Sequence, residues 1–125
     1  MENKTIILAI DDNLVQLKVF HNILVPKYDL RTVNSASAAI NYLNANPADI
    51  ILLDIEMPNI SGFDFLTDIR RIPSYMSVPI IIISGKIGRE FNEKARNSSA
   101  FEVLGKPVSA EILIDTIERA IARAE

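Results

Sequence analysis

Polar side chains that could do chemistry follow four apolar runs of the sequence. In chain order they are Asp11 and Asp12, Asp54, Ser84, and Lys106. The run Ile50-Ile51-Leu52-Leu53 before Asp54 is typical of a strand that is buried on both faces of a parallel sheet. Pro58 prevents a simple continuation of that strand. Open parallel sheets bind ligands beyond the carboxyl ends of their strands, so Asp54 stands where chemistry is expected.

These side chains suit the chemistry of a phosphoryl group. Three carboxylates within a few ångströms of one another repel, so Asp11, Asp12 and Asp54 would require a cation or raised pKa values. Mg²⁺ prefers oxygen ligands and shares phosphate oxygens with its site. Lys106 supplies a second cation and Ser84 a hydroxyl donor, which with the metal could neutralise three phosphoryl oxygens. Asp54 is the carboxylate best placed to act as a nucleophile and become an acyl phosphate.

Strands and helices that alternate along the chain would bring these residues together. The predicted strands span Thr5–Ile10, Asp29–Asn34, Ile50–Asp54, Val78–Ile83 and Phe101–Leu104. The predicted helices run from the Asn13 cap to about Val25, from Ser35 or Ser37 to about Asn44, from Ser61-Gly62 to about Ile72, from about Gly88 to Asn97, and from the Ser109 cap through Ala124.

Five strands alternating with five helices predict an α/β fold, a doubly wound (βα)5 sandwich around a central parallel five-stranded sheet. The expected strand order is 2-1-3-4-5, the flavodoxin-like arrangement, which puts strands one and three side by side. Asp11, Asp12 and Asp54 then share one edge of the sheet. Ser84 and Lys106 end strands four and five at that edge.

Length and composition narrow the class of protein. The 125 residues are expected to form a single domain, residues 1–125. A formal charge of −3 with scattered basic residues argues against a nucleic-acid surface. No apolar run approaches the ~20 residues that span a bilayer, and the N-terminus lacks a signal-peptide pattern. The absence of cysteine is compatible with the reducing cytoplasm, our expected location.

The motifs together resemble the receiver domain of two-component response regulators, the CheY-like family, over essentially the whole chain. The matching pieces are Asp11-Asp12, Leu53–Pro58 with Gly62, Ser84-Gly85 and Lys106-Pro107. Ser84 lies 30 residues past Asp54, and Lys106 lies 52 past it. Each motif alone is weak, whereas all four in this order at these spacings are specific.

The resemblance implies a site and its roles. Asp54 would accept the phosphoryl group. Mg²⁺ would be held by Asp11, Asp12, Asp54 and the main-chain oxygen of Glu56. Ser84 and Lys106 would bind the phosphoryl group, and the Lys106-Pro107 peptide would be cis, an arrangement common only before proline.

The resemblance also implies partners. A histidine kinase or a histidine phosphotransfer protein would supply the phosphoryl group. The domain would catalyse only its own phosphorylation and dephosphorylation. The surface around helix 4, strand 5 and helix 5 would then change for a downstream effector outside this chain, or for a homodimer. Neither direct nucleic-acid binding nor membrane insertion is expected.

Three positions depart from the family pattern. Val103 stands where an aromatic residue usually precedes the lysine by three, and Phe101 is expected to share its strand face. Ser99-Ala100 replaces the usual Gly-Ala, and Gly88 begins a fourth helix of low apolar content. We therefore hypothesise that the phosphorylation chemistry is intact while the output switch is unusual.

Other functions and simpler interpretations are open at this point. An aspartate-nucleophile phosphatase would use Asp54 with the residue two later, but that residue is Glu56. A degenerate receiver would bind partners without taking phosphate. A flavodoxin would need a Ser/Thr/Gly-rich phosphate loop where Asp11-Asp12 stand.

Taken alone, each motif also has a simpler structural interpretation. Asp11-Asp12 could cap the first helix, Ser84 could satisfy a turn, and Lys106 could be a solvated loop residue.

Overall fold

The computed structural model describes residues 4–58, 60–86 and 88–124. Its strands are β1 (Ile6–Ile10), β2 (Asp29–Val33), β3 (Ile50–Asp54), β4 (Ile80–Ser84) and β5 (Glu102–Gly105). Its helices are α1 (Leu14–Leu24), α2 (Ala36–Ala45), α3 (Gly62–Arg70), α4 (Arg89–Arg96) and α5 (Ala110–Ala124), with a 3-10 turn at Pro73–Tyr75. All strand pairs are parallel and the order is β2-β1-β3-β4-β5, which confirms the predicted topology.

The central strand β3 is buried along its whole length because both faces of the sheet are covered. Ile51 and Leu53 belong to the core that contains buried residues of α2 and α3. Ile50 and Leu52 belong to the second core, which contains buried residues of α1 and α5. Alternate side chains of a strand point to opposite faces, so an unbroken apolar run is what two cores require.

Side-chain caps begin four of the helices, and for α1, α2 and α5 the sequence predicts the cap. Asn13 accepts hydrogen bonds from two amides of α1 and Ser61 from one of α3. Ser35, not Ser37, caps α2, and Ser109 accepts from the Ile112 amide in α5. Each cap satisfies amides that have no partner within their own helix. The position at which each of these helices leaves the sheet is therefore encoded locally.

The buried face of α5 differs from the predicted one. The helical spacing of apolar residues predicts one inward face, made of Ala110, Leu113, Ile114, Ile117, Ile121 and Ala124. In the structure, Ala110 and Ala124 are exposed in the first and last turns of the helix. Thr116 and Ala120 are fully buried instead. The Thr116 hydroxyl donates to the Ile112 carbonyl at 2.8 Å, so burial leaves it satisfied. The predicted face was made of apolar residues only, so the polar Thr116 was not included in it.

The start of β5 also differs from the prediction, with a consequence for Phe101. The strand begins at Glu102, so Phe101 lies outside the regular alternation. Its ring lies 5.9 Å from the Arg119 guanidinium and 5.6 Å from that of Arg123, and it packs against the α1 and α5 core. Val103 packs against the other core. The expectation that Phe101 shares the face of Val103 is therefore wrong.

No helix in the described part of the chain has the length and apolar character that crossing a membrane would require.

Candidate functional site

The parallel register brings the predicted site residues to one edge of the sheet. Ile10 pairs with Leu53, so Asp11 emerges beside Asp54. Asp54 pairs with Ile83, and Ser84 pairs with Gly105, the residue before Lys106. Asp11, Asp54 and Ser84 are all buried, whereas Asp12 is exposed.

The three aspartates form a cluster with the donor set of a hard cation site. One carboxylate oxygen from each of Asp11, Asp12 and Asp54 lies within 4.8 Å of the other two. Oδ1 of Asp11 accepts from the Asn13 amide at 2.9 Å, while its buried Oδ2 accepts no hydrogen bond within the described residues. A buried carboxylate oxygen without a donor is costly unless a cation neutralises it. The residues present therefore fit Mg²⁺, which takes oxygen ligands.

The ammonium of Lys106 lies against the same carboxylates. Its Nζ is 3.4 Å from Oδ1 of Asp54 and 3.6 Å from Oδ2 of Asp11. The Lys106 amide donates to the Ser84 carbonyl at 2.9 Å, which ties the lysine to the end of β4. The Lys106-Pro107 peptide is cis, as the resemblance implied. Lys106 is thus part of the site and is only partly exposed.

Burial and charge act against each other at Asp11. The pKa of the Asp11 carboxyl is raised from its ordinary value of 3.8 to about 6, and burial is the largest cause. The Asn13 amide lowers this pKa, repulsion from Asp54 raises it, and Lys106 lowers it again. A bound cation would favour the ionised form, so protons and metal compete for this residue.

The side chain of Glu56 takes a position that the sequence did not indicate. Its Oε1 accepts three hydrogen bonds, from the Ser84 hydroxyl at 2.5 Å, the Gly85 amide at 2.6 Å and the Lys86 amide at 2.9 Å. We call these three donors the donor cradle. The Ser84 hydrogen bond is the largest cause that lowers the pKa of the Glu56 carboxyl, and partial burial opposes it. The main-chain oxygen of Glu56 was predicted as a metal ligand, whereas these side-chain hydrogen bonds were not predicted.

The loop that carries Glu56 is held at both of its ends. The Glu56 amide donates to Oδ1 of Asp54 at 3.0 Å. At the start of α3, a Cβ on Gly62 would lie 2.6 Å from the carbonyl oxygen of Ile55 and would overlap its side chain. Glycine is therefore needed at Gly62 for this close approach.

A family model described as the response regulator receiver domain matches residues 7–118. The chain belongs to this family. Among curated relatives of the receiver domain, the 3',5'-cyclic-nucleotide phosphodiesterase regA of Dictyostelium discoideum is 32% identical, covering 95% of this chain and 16% of that protein. The sensor histidine kinase CheAY of Helicobacter pylori is 28% identical, covering 93% and 15%. The chain thus spans about a sixth of the length of either relative.

A solved two-component response regulator from Clostridium difficile has the same fold as this receiver domain. The TM-score is 0.89 at 24% identity, and the match covers 98% of this chain and 99% of that one. Phosphorylation on an aspartate and use of Mg²⁺ are typical of receiver domains in two-component systems. The family is one of receiver domains rather than conventional enzymes.

Proposed function

We propose that Asp54 is the phosphoacceptor of this receiver domain in a Mg²⁺-dependent reaction. The observation that carries the proposal is the Lys106 ammonium 3.4 Å from Oδ1 of Asp54, within a buried cluster of carboxylates. A cation in contact with a carboxylate nucleophile can bind the phosphoryl oxygens as they arrive. The Ser84 hydroxyl, at the end of the neighbouring strand, adds a donor.

Each residue has a role that its position supports. An Asp54 carboxylate oxygen forms a bond to phosphorus as the bond from phosphorus to a histidine nitrogen of the donor protein breaks. Lys106 and Ser84 bind the transferred oxygens. Asp11, Asp12, Asp54 and the Glu56 carbonyl would hold Mg²⁺, and when bound the ion supplies charge that offsets the phosphoryl oxygens. The domain would catalyse only its own phosphorylation and dephosphorylation.

Partners follow from the same chemistry. A histidine kinase or a histidine phosphotransfer protein would be the donor, and an effector outside this chain would read the change around α4, β5 and α5. A homodimer through these elements, a single receiver domain over residues 1–125 and a cytoplasmic location stay predictions. The hypothesis that Val103 alters the output switch also stays open.

Intact-protein mass spectrometry after incubation with acetyl phosphate and Mg²⁺ tests the proposal. Wild type should gain the mass of one phosphoryl group, and Asp54→Asn should gain none because the nucleophile is lost. Asp68→Asn, an exposed change on α3, serves as the control and should behave as wild type. A gain that survives in Asp54→Asn, or no gain in wild type as a degenerate receiver would give, contradicts the proposal. Repeated release of phosphate from a phosphomonoester would favour the phosphatase alternative.

A further inference from the structure

The donor cradle has the geometry of a site for one anionic oxygen. A hydroxyl and two consecutive main-chain amides converge on a single oxygen of Glu56, at 2.5, 2.6 and 2.9 Å. Hydrogen bonds from such donors to a charged oxygen are short and strong, and successive amides form anion-binding concavities. The cradle holds a carboxylate oxygen, and a phosphoryl oxygen is the same kind of acceptor.

The cradle also stands beside Asp54. Asp54 pairs with Ile83, the residue before Ser84, and the Glu56 amide donates to the Asp54 carboxylate. A phosphoryl group on Asp54 would therefore have the Lys106 ammonium within reach and the cradle at the end of the next strand. A hydroxyl has one proton to donate, so Ser84 cannot serve the Glu56 carboxylate and a phosphoryl oxygen at once.

We propose that Glu56 is a built-in competitor of the phosphoryl group. Its carboxylate occupies the donor cradle in the unphosphorylated protein, and it leaves the cradle when a phosphoryl oxygen binds there. Glu56 is thus a residue that sets the affinity of the site for phosphoryl oxygens. This inference rests on the proposed phosphorylation of Asp54.

Glu56 has room to move away. The residue is exposed, and a cavity of about 350 Å³ is lined by Glu56 together with Ser84, Lys86, Gly62 and Phe91. A released carboxylate can therefore be hydrated instead of being buried without partners. Like charges also repel, so a phosphoryl group beside the cradle would itself favour the departure of Glu56.

Binding of beryllofluoride, an analogue of the phosphoryl group on an aspartate, tests the inference in saturating Mg²⁺. Isothermal titration calorimetry would compare wild type with Glu56→Ala and Glu56→Gln. We expect Glu56→Ala to bind at least about tenfold more tightly, because three hydrogen bonds to a charged group no longer have to be broken. Glu56→Gln, which keeps a weaker acceptor, should fall between. Glu93→Gln, an equal charge change on the exposed face of α4, should bind as wild type does.

A second measurement reports occupancy of the cradle without any ligand. In ¹H–¹⁵N spectra, the amide resonances of Gly85 and Lys86 should move in Glu56→Ala and stay in place in Glu93→Gln. Unmoved amides would overturn the inference, as would equal affinity in wild type and Glu56→Ala. An equal gain in both Glu56 variants would assign the effect to charge alone and would also overturn it.

The result separates this inference from the proposed function. Wild type that binds beryllofluoride, with no gain in Glu56→Ala, would refute the competitor role and leave phosphorylation of Asp54 standing. No binding by wild type or either Glu56 variant would refute both. Thermal unfolding of each variant establishes that the comparison is between folded proteins.

Discussion

Asp11 is the carboxylate of the site whose charge is most strongly disfavoured by its surroundings. It is fully buried, one of its oxygens accepts no hydrogen bond within the described residues, and Asp54 lies nearby. The positive charge of Lys106 offsets only part of the cost of burial and of the repulsion from Asp54, since the pKa of Asp11 is still raised to about 6. A site built in this way disfavours its own charge until a cation arrives.

The stability of the metal-free protein should therefore depend on pH through Asp11. Between its ordinary pKa of 3.8 and about 6, the folded protein binds more protons at this carboxyl than the unfolded chain does. The free energy of unfolding consequently falls as pH rises through that window, by roughly 3 kcal/mol in total. Asp11→Asn keeps a side-chain oxygen that can accept from the Asn13 amide, but it has no carboxyl group to titrate. Its free energy of unfolding should therefore fall less than that of wild type as pH rises.

Urea unfolding of both proteins from pH 4 to 7, with chelator present, measures the difference. The curves of wild type and Asp11→Asn should diverge as pH rises, and Mg²⁺ should reduce the divergence because it stabilises the ionised carboxylates. Parallel curves in chelator would contradict the account of Asp11.

At the scale of elements, the β3–α3 connection depends on the close packing of Gly62 on Ile55. Gly62→Ala should lower the free energy of unfolding by about 1–3 kcal/mol, because the new methyl group meets main-chain oxygen that cannot easily move. The gain in helix propensity, up to ~1 kcal/mol, offsets only part of this. Urea denaturation at one pH measures the change.

Gly88→Ala is the matched control for that variant. A Cβ on Gly88 would meet nothing within 4 Å, and the residue has an extended backbone at the start of α4. It should therefore cost only about 0.5–1 kcal/mol, because alanine is a poorer N-cap residue than glycine but meets no clash at this position. Equal destabilisation by the two substitutions would refute the packing argument.

Local chemistry made most elements predictable from the sequence. Asn13 and Ser109 cap their helices as expected because a cap depends on residues a few positions away. The start of β5 was less predictable, because pairing with β4 decides where the strand begins. A one-residue difference there was enough to assign Phe101 to the wrong core.

At the scale of the whole molecule, the convergence of the polar residues was predictable. Parallel strands end at a common edge, so the order of the strands alone brings Asp11, Asp54, Ser84 and Lys106 together. The side chain of Glu56 was not predictable. Its direction depends on donors from β4 and on a loop fixed by packing, and these assemble only in three dimensions.

The chemical nature and position of the phosphoryl linkage test the central claim most directly. After acetyl phosphate and Mg²⁺, borohydride reduces an aspartyl phosphate to homoserine, while a phosphate ester of serine is left intact. Tandem mass spectrometry of the digested protein should find homoserine at position 54. Phosphate retained on Ser84, or homoserine at position 11 or 12, would contradict the account.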